Sequence, residues 1–164
     1  MSAKKSEKKT KKKGKKQEKK RAKAKKASKK KQSSAPKPVK TGKGATPLEV
    51  AQTVVGLLRA GAMKEVEDKW LAPAIESVEG VGASMAWQGK KAVLKKYRDW
   101  EADHEIHAMN VEGPWVGATG FAVRYAIDMS QKSTGQRHQM EEIAVYTVKN
   151  GKIVREEFHF KTPS

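Results

Sequence analysis

The chain has 164 residues, no cysteine and a formal net charge of +18. Disulfide frameworks and thiolate metal sites are therefore excluded, and no apolar run approaches the roughly 18 residues needed to span a bilayer. The charge is unevenly placed: residues 1–44 hold 20 Lys and Arg21 against Glu7 and Glu18, a net of +19, whereas residues 45–164 hold 15 basic against 16 acidic residues, a net of −1.

Residues 1–44 contain no aromatic residue, and Val39 is their only β-branched aliphatic. Such a segment cannot bury enough apolar surface to offset the entropy of ordering, which predicts a disordered tail and linker. Its basic side chains, Lys11, Lys12, Lys13, Lys15, Lys16, Lys19, Lys20, Arg21, Lys23, Lys25, Lys26, Lys29, Lys30 and Lys31, are the candidate polyanion contacts. Neutralising phosphates with such a run releases counterions and gives salt-sensitive, sequence-independent affinity for nucleic acid. Lys far outnumbers Arg, which favours contact with the backbone over bidentate base reading. Anionic membrane surface, a nuclear localisation signal in a eukaryotic host and a merely solubilising extension are competing readings of the same charge. The basic start is not followed by an apolar stretch of signal-peptide length. The expected location is intracellular and cytoplasmic, at the nucleoid in a bacterial host or in the nucleus of a eukaryotic one.

The remaining residues, 45–164, suit one small domain with a single core. Thr46, Pro47 and Glu49 form a helix start ahead of "LEVAQTVVGLLRAGAM", with Val50, Val54, Leu57 and Leu58 at helical spacing and Gly61 ending the run. A second helix, "MKEVEDKWLA", carries Met63, Val66, Trp70 and Leu71 on one stripe and is expected to stop at Pro73. "AIESVEG" reads as a short strand, and Gly82 and Gly89 bracket a loop. A third helix, "KKAVLKKYRDWEADH", turns Ala92, Val93, Tyr97 and Trp100 to its apolar side. Four strands follow at about 105–112, 116–130, 137–148 and 152–160. Helices first and an antiparallel meander afterwards predict an α+β domain.

Asn150-Gly151 between two strand patterns is a strong two-residue hairpin signal. It sets a register of Lys149 with Lys152 and Val148 with Ile153, and, carried outward without interruption, Tyr146 with Arg155, Ala144 with Glu157 and Glu142 with His159. A four-residue connection at Lys132–Gly135 would place Tyr125 opposite Glu142 and Phe121 opposite Tyr146. One sheet face then gathers Phe121, Val123, Tyr125, Ile127, Glu142, Tyr146, Arg155, Glu157 and His159 among others, an apolar and aromatic wall with clustered polar groups, as ligand pockets are lined. The opposite face, with Arg124, Ile143, Val145, Val154, Glu156, Phe158 and Phe160, is evenly mixed, as expected of a surface part solvated and part subunit contact.

The stretches "GKKAVLKKYRDWEADHEIH", "GATGFAVRYAIDM" and "GQRHQMEEIAVYTVKNGKIVREEFHF", together with the two leading helices, resemble the SnoaL-like group of the nuclear transport factor 2-like superfamily over residues 46–161. The resemblance implies a conical half-barrel: about three N-terminal helices packed on a curved antiparallel sheet, a cavity inside and often a homodimer through the outer sheet face. The fold hosts isomerases, polyketide cyclases, dehydratases, transport factors and non-catalytic modules, so the resemblance implies a pocket rather than a reaction. No dedicated isomerase or cyclase catalytic set maps onto this chain residue by residue. The tail, with "RAKAKKASKKKQSSAPKP", resembles the low-complexity tails of histone-like proteins.

Proton-transfer chemistry in such a pocket needs a carboxylate beside an acidic C–H and a donor for the enolate oxygen. Glu142 is the candidate base, Tyr125 or Tyr146 the donor, and His159 the neighbour that would lower the Glu142 pKa against burial. Trp100, His107, Phe121, Val123, Tyr146 and Glu157 are the expected pocket wall. The bland alternative is that these polar residues are ordinary cross-strand pairs. His104 and His107 flank Glu105, but zinc requires a third ligand that the stretch lacks, so no metal is expected. No phosphate loop, nucleophile elbow or dinucleotide fingerprint is present, so no cofactor is expected. Two functions fit: a pocket for a small hydrophobic ligand, with isomerase-like or cyclase-like proton transfer, tethered by its tail to nucleic acid; or a non-catalytic dimeric scaffold presenting polybasic tails.

Overall fold

The computed structural model describes residues 44–80 and 82–160. The tail, with the disorder and polyanion contacts expected of it, lies outside the described residues apart from Gly44. Three helices, α1 (Pro47–Arg59), α2 (Met63–Trp70) and α3 (Lys90–Asp103), pack on a curved sheet of six strands: β1 (Leu71–Glu79), β2 (Met85–Gln88), β3 (His104–Val116), β4 (Gly120–Gln131), β5 (Gln136–Lys149) and β6 (Lys152–Phe160). The sheet order is β2-β1-β6-β5-β4-β3. Among the described residues, no helix is long and apolar enough to cross a membrane.

The α1 start is a reciprocal capping box: Glu49 N–H donates to Thr46 Oγ1, and Thr46 N–H donates to the Glu49 carboxylate at 2.8 Å. Val50, Val54 and Leu58 are buried, as their spacing demands. At the other end of α1, the Arg59 guanidinium donates to Val111 O at 2.9 Å and Gly113 O at 2.7 Å, tying the helix to β3. The core beneath the helices is built from Trp70, Ile75, Val93, Val123, Ala144 and Ile153.

Helix α2 stops at Trp70 rather than at Pro73, because Leu71 and Ala72 already belong to β1 and are buried there. That strand runs parallel to β6, an arrangement the meander reading did not include. The segment between Gly82 and Gly89 holds a further strand, β2, antiparallel to β1. Strand β3 continues past residue 112 to Val116, absorbing Gly113 and Pro114 at a register shift.

The β4–β5 register is as expected: Tyr125 lies opposite Glu142 and Phe121 opposite Tyr146. The β5–β6 turn also forms as expected, with Asn150 and Gly151 both at positive φ, and Lys149 and Val148 pair with Lys152 and Ile153. Beyond that point the expected register is wrong. A bulge admits Val154 as an extra residue, so Thr147 pairs with Arg155, Tyr146 with Glu156, Ala144 with Phe158 and Glu142 with Phe160. One inserted residue exchanges the faces of everything after it. Glu156 and Phe158 consequently turn inward, while Arg155, Glu157 and His159 turn outward.

Strand β4 begins against the backbone of β5. A Cβ on Gly120 would stand 1.9 Å from the Tyr146 carbonyl oxygen. Gly120→Ala is expected to lower unfolding stability by about 1–3 kcal/mol through forced separation of the two strands, measured as the shift in urea midpoint of the full chain.

Candidate active site

The concave face of the sheet and the helices enclose a cavity of about 370 Å³. Its wall is largely apolar, with Leu58, Val66, Trp100, Met109, Ile127 and Phe158 contributing from six elements. Most of its polar groups collect at the junction of β1, β4, β5, β6 and α3, while Glu67 of α2 and Glu101 of α3 line its helix side.

Lys96 organises this junction. It sits three residues after the fully buried Val93, so the helix carries its stem into the interior, where the side chain is only 11% exposed. Its ammonium donates to Glu79 Oε1 at 2.6 Å and Ser77 Oγ at 2.8 Å, and lies 3.4 Å from Glu156 Oε1. The rings of Phe158, Tyr97 and Trp87 surround it at 4.4, 4.9 and 5.1 Å from their centroids, adding cation–π attraction. Glu156 is 1% exposed and accepts a second hydrogen bond from the Tyr97 hydroxyl, so its burial is compensated on both oxygens. Burial first, and Glu156 second, push the Tyr97 hydroxyl far up.

Glu142 differs from its neighbours in having no side-chain hydrogen bond among the described residues. Burial, reinforced by Glu79 and Glu156 and opposed by Lys96, pushes its carboxyl up to about 7. Opposite it on β4 is Tyr125, whose hydroxyl lies 2.9 Å from that of Tyr146. Both tyrosines are buried, and burial is the main cause holding each hydroxyl protonated. Two hydroxyls sharing one hydrogen bond leave one O–H over: whichever donates, the other keeps a proton with no acceptor among the described residues. An ionisable carboxylate without partners beside a spare buried donor suits a carbonyl compound carrying an acidic C–H.

Of the residues expected from the sequence, Glu142, Tyr125, Tyr146 and Trp100 line the cavity together. Phe121 and Val123 face the same way but belong to the core below it, with the Phe121 ring 5.0 Å from that of Tyr146. Three expectations are corrected. The β6 bulge puts His159 and Glu157 on the outer face, where they lie 3.6 Å apart and Glu157 also accepts from Arg155. His107 is exposed on β3 and contacts Ser130 Oγ at 2.7 Å. Phe158, expected on the mixed face, is part of the cavity wall. His104 stacks on Trp100, and no group of three metal-ligating side chains gathers among the described residues. The residues missed by sequence reading are Lys96, Glu156 and Glu79. A signal existed for Lys96, since it lies inside the Val93–Tyr97–Trp100 stripe.

The family described as the SnoaL-like domain matches residues 45–160. A crystal structure from Mesorhizobium loti, provisionally named a SnoaL-like polyketide cyclase and carbohydrate phosphatase, is 39% identical; the match covers 70% of this chain and 99% of that one, with a TM-score of 0.66. A provisionally named SnoaL-like polyketide cyclase from Jannaschia sp. CCS1 is 14% identical over 76% of this chain and 90% of its own, with a TM-score of 0.60. A provisionally named isomerase from Bacillus subtilis is 16% identical over 71% of this chain and 90% of its own, with a TM-score of 0.56. At that identity the last two attest the fold alone. No curated protein matches the chain.

The Glu142 environment has a consequence for stability. The folded chain keeps the Glu142 proton up to about pH 7, whereas the unfolded chain releases it near 4.5. Between those values the folded state binds more protons, so this contribution to stability falls as pH rises. Glu142→Gln is expected to remove that decline, gaining on the order of 2–3 kcal/mol relative to wild type between pH 4.5 and 8. Paired urea titrations at the two pH values check it; an unchanged difference would mean that Glu142 titrates normally.

Proposed function

The chain belongs to the SnoaL-like domain family, and from that premise we propose that its cavity binds a small hydrophobic carbonyl compound and moves a proton on it. The observation that carries this reading is the juxtaposition of unpartnered Glu142 with the spare hydroxyl proton of the Tyr125–Tyr146 pair. The 39% identical relative from Mesorhizobium loti, provisionally named a SnoaL-like polyketide cyclase, supports this reading.

In this scheme Glu142 takes the proton from the carbon next to the carbonyl. Negative charge develops on the carbonyl oxygen, and the tyrosine pair donates to it from a buried, preorganised position. Protonated Glu142 then returns the proton to another carbon of the same ligand, or the enolate carbon attacks a second carbonyl to close a ring and the alkoxide formed from that carbonyl takes the proton back from Glu142. A base with a pKa near 7 is matched to this work, since it is ionised at neutral pH yet still basic enough to accept a proton. Lys96, Glu79, Glu156 and Tyr97 position the base and hold its field constant without touching the ligand's reacting atoms.

The expected outcome is that the full chain catalyses deuterium exchange at the α-carbon of small hydrophobic ketones, read by proton NMR. The rate should fall about tenfold per pH unit below 7, as Glu142 becomes protonated. Glu142→Gln should abolish exchange, and Tyr125→Phe should reduce it about 10²-fold, the usual consequence of removing an oxyanion donor. Exchange that survives Glu142→Gln would sink the assignment of the base.

A second reading has its own observation. Ile143 and Val145 stand 39% and 40% exposed on the outer face of β5, beside the Arg124–Glu112–Glu141 and Arg155–Glu76–Glu157 ion-pair networks. An apolar strip with a polar rim suits a homodimer contact. The dimer would double the effective valency of the +19 segment at residues 1–44 on nucleic acid or another polyanion. Val145→Asp is expected to shift the full chain to monomers by light scattering and to weaken its salt-sensitive binding to duplex DNA several-fold. Unchanged mass and DNA affinity would remove this reading.

A further inference from the structure

The cavity's charge is lopsided. Five carboxylates line it, Glu67, Glu79, Glu101, Glu142 and Glu156, against the single ammonium of Lys96. That ammonium is already engaged by Glu79, Glu156, Ser77 and three aromatic rings, so it offers little attraction to an anionic ligand.

The imbalance is sharpest on the helix side. Glu67 of α2 and Glu101 of α3 both face the cavity, Glu101 exposed and Glu67 half-buried, and neither carboxylate makes an ion pair among the described residues. Burial and the neighbouring Glu101 push the Glu67 carboxyl up, while Arg98 and Lys64 pull it back only in part. Trp100, Met63 and Ile106 line the same side of the cavity, so a bound cation would have apolar and aromatic contacts beside the two carboxylates. Elsewhere in the lining, the buried Tyr125 and Tyr146 hydroxyls share one hydrogen bond, which leaves one O–H proton available to an acceptor on a ligand.

We infer that the ligand is an amino-ketone: an apolar frame whose protonated amine sits between Glu67 and Glu101, and whose neutral carbonyl oxygen accepts from the tyrosine pair. This deepens the reading of the cavity as a ligand site and depends on it, but it does not depend on turnover. Free carboxylates, phosphates and sulfates are poor ligands by the same charge count, because each would approach the unpaired carboxylates of Glu67, Glu101 and Glu142. Glu67 and Glu101 are specificity-determining residues in this account, and they take no part in the proton transfer assigned to Glu142.

The test uses the full chain and three probes on one frame: 2-acetylnaphthalene bearing an aminomethyl, a hydroxymethyl or a carboxylate group at its 6-position. Affinities are measured by titration calorimetry at pH 8 in low salt. The amine should bind about five- to tenfold more tightly than the alcohol, and the acid least tightly. Raising salt to about 0.5 M should shrink the preference, since partly exposed charges are screened. Glu67→Gln combined with Glu101→Gln should erase it while leaving the alcohol's affinity unchanged, and both sites are exposed enough for the fold to survive. Equal binding of amine and alcohol to the wild-type chain would overturn this inference and leave the cavity's ligand role standing. Binding of none of the three would overturn both. An amine preference that persists in the double variant would overturn the assignment to Glu67 and Glu101.

Discussion

Lys96 joins the helical layer to the sheet through a buried polar cluster. A lysine so deeply set requires partners, and it finds them on two strands that are far apart in sequence: Ser77 and Glu79 on β1, Glu156 on β6. The parallel β1–β6 pairing sets Ser77 beside Glu156 and Glu79 beside Phe158, so carboxylates and ring converge on one point. Removing Lys96 would leave Glu156 as a buried carboxylate without a counter-ion, which is why such clusters hold their geometry firmly. The position of α3, and with it the Tyr97 and Trp100 part of the cavity wall, follows from this anchor.

The β6 bulge makes the anchor available. Without Val154 as an extra residue, Glu157 and His159 would face the interior, and Glu156 would point to solvent. With it, Glu156 meets Tyr97 and Lys96 inside, while Arg155 reaches Glu76 and Glu157 on the outer face. The same event decides the character of Glu142. No imidazolium lies across from it; Phe160 does, and Glu79 and Glu156 are the nearby anions. Burial and like charge therefore prevail over the lysine, and the carboxyl titrates near neutrality instead of near 4.5.

A chemically useful site emerges from this compensation. Glu156 and Glu79 are engaged in holding Lys96, leaving Glu142 and one tyrosine hydroxyl as the sheet-side groups with capacity to spare. Division of labour between committed and uncommitted polar groups is how a buried cluster can be both rigid and reactive. In the proposed reading the apolar remainder of the cavity supplies affinity without specificity, and the choice of ligand falls to the few charged side chains around it.

Much of this was legible in the amino-acid order. The capping box at Thr46, the apolar stripes of the three helices, the Asn150-Gly151 turn and a four-residue connection at Lys132–Gly135 are local signals, and they carried the reading of three helices, the β5–β6 turn and the pairing of Tyr125 with Glu142. A parity clue to the bulge was also present: Ile153 and Phe158 are an odd number of residues apart, so both can face the core only if one residue is inserted. What only the tertiary structure decided is where that insertion falls, which carboxylate on β6 turns inward, and that β1 returns in parallel to meet it. Those outcomes depend on Lys96 finding partners across 17 and 60 residues of sequence separation, and the cost of burying a charge is settled by the partners that surround it in space.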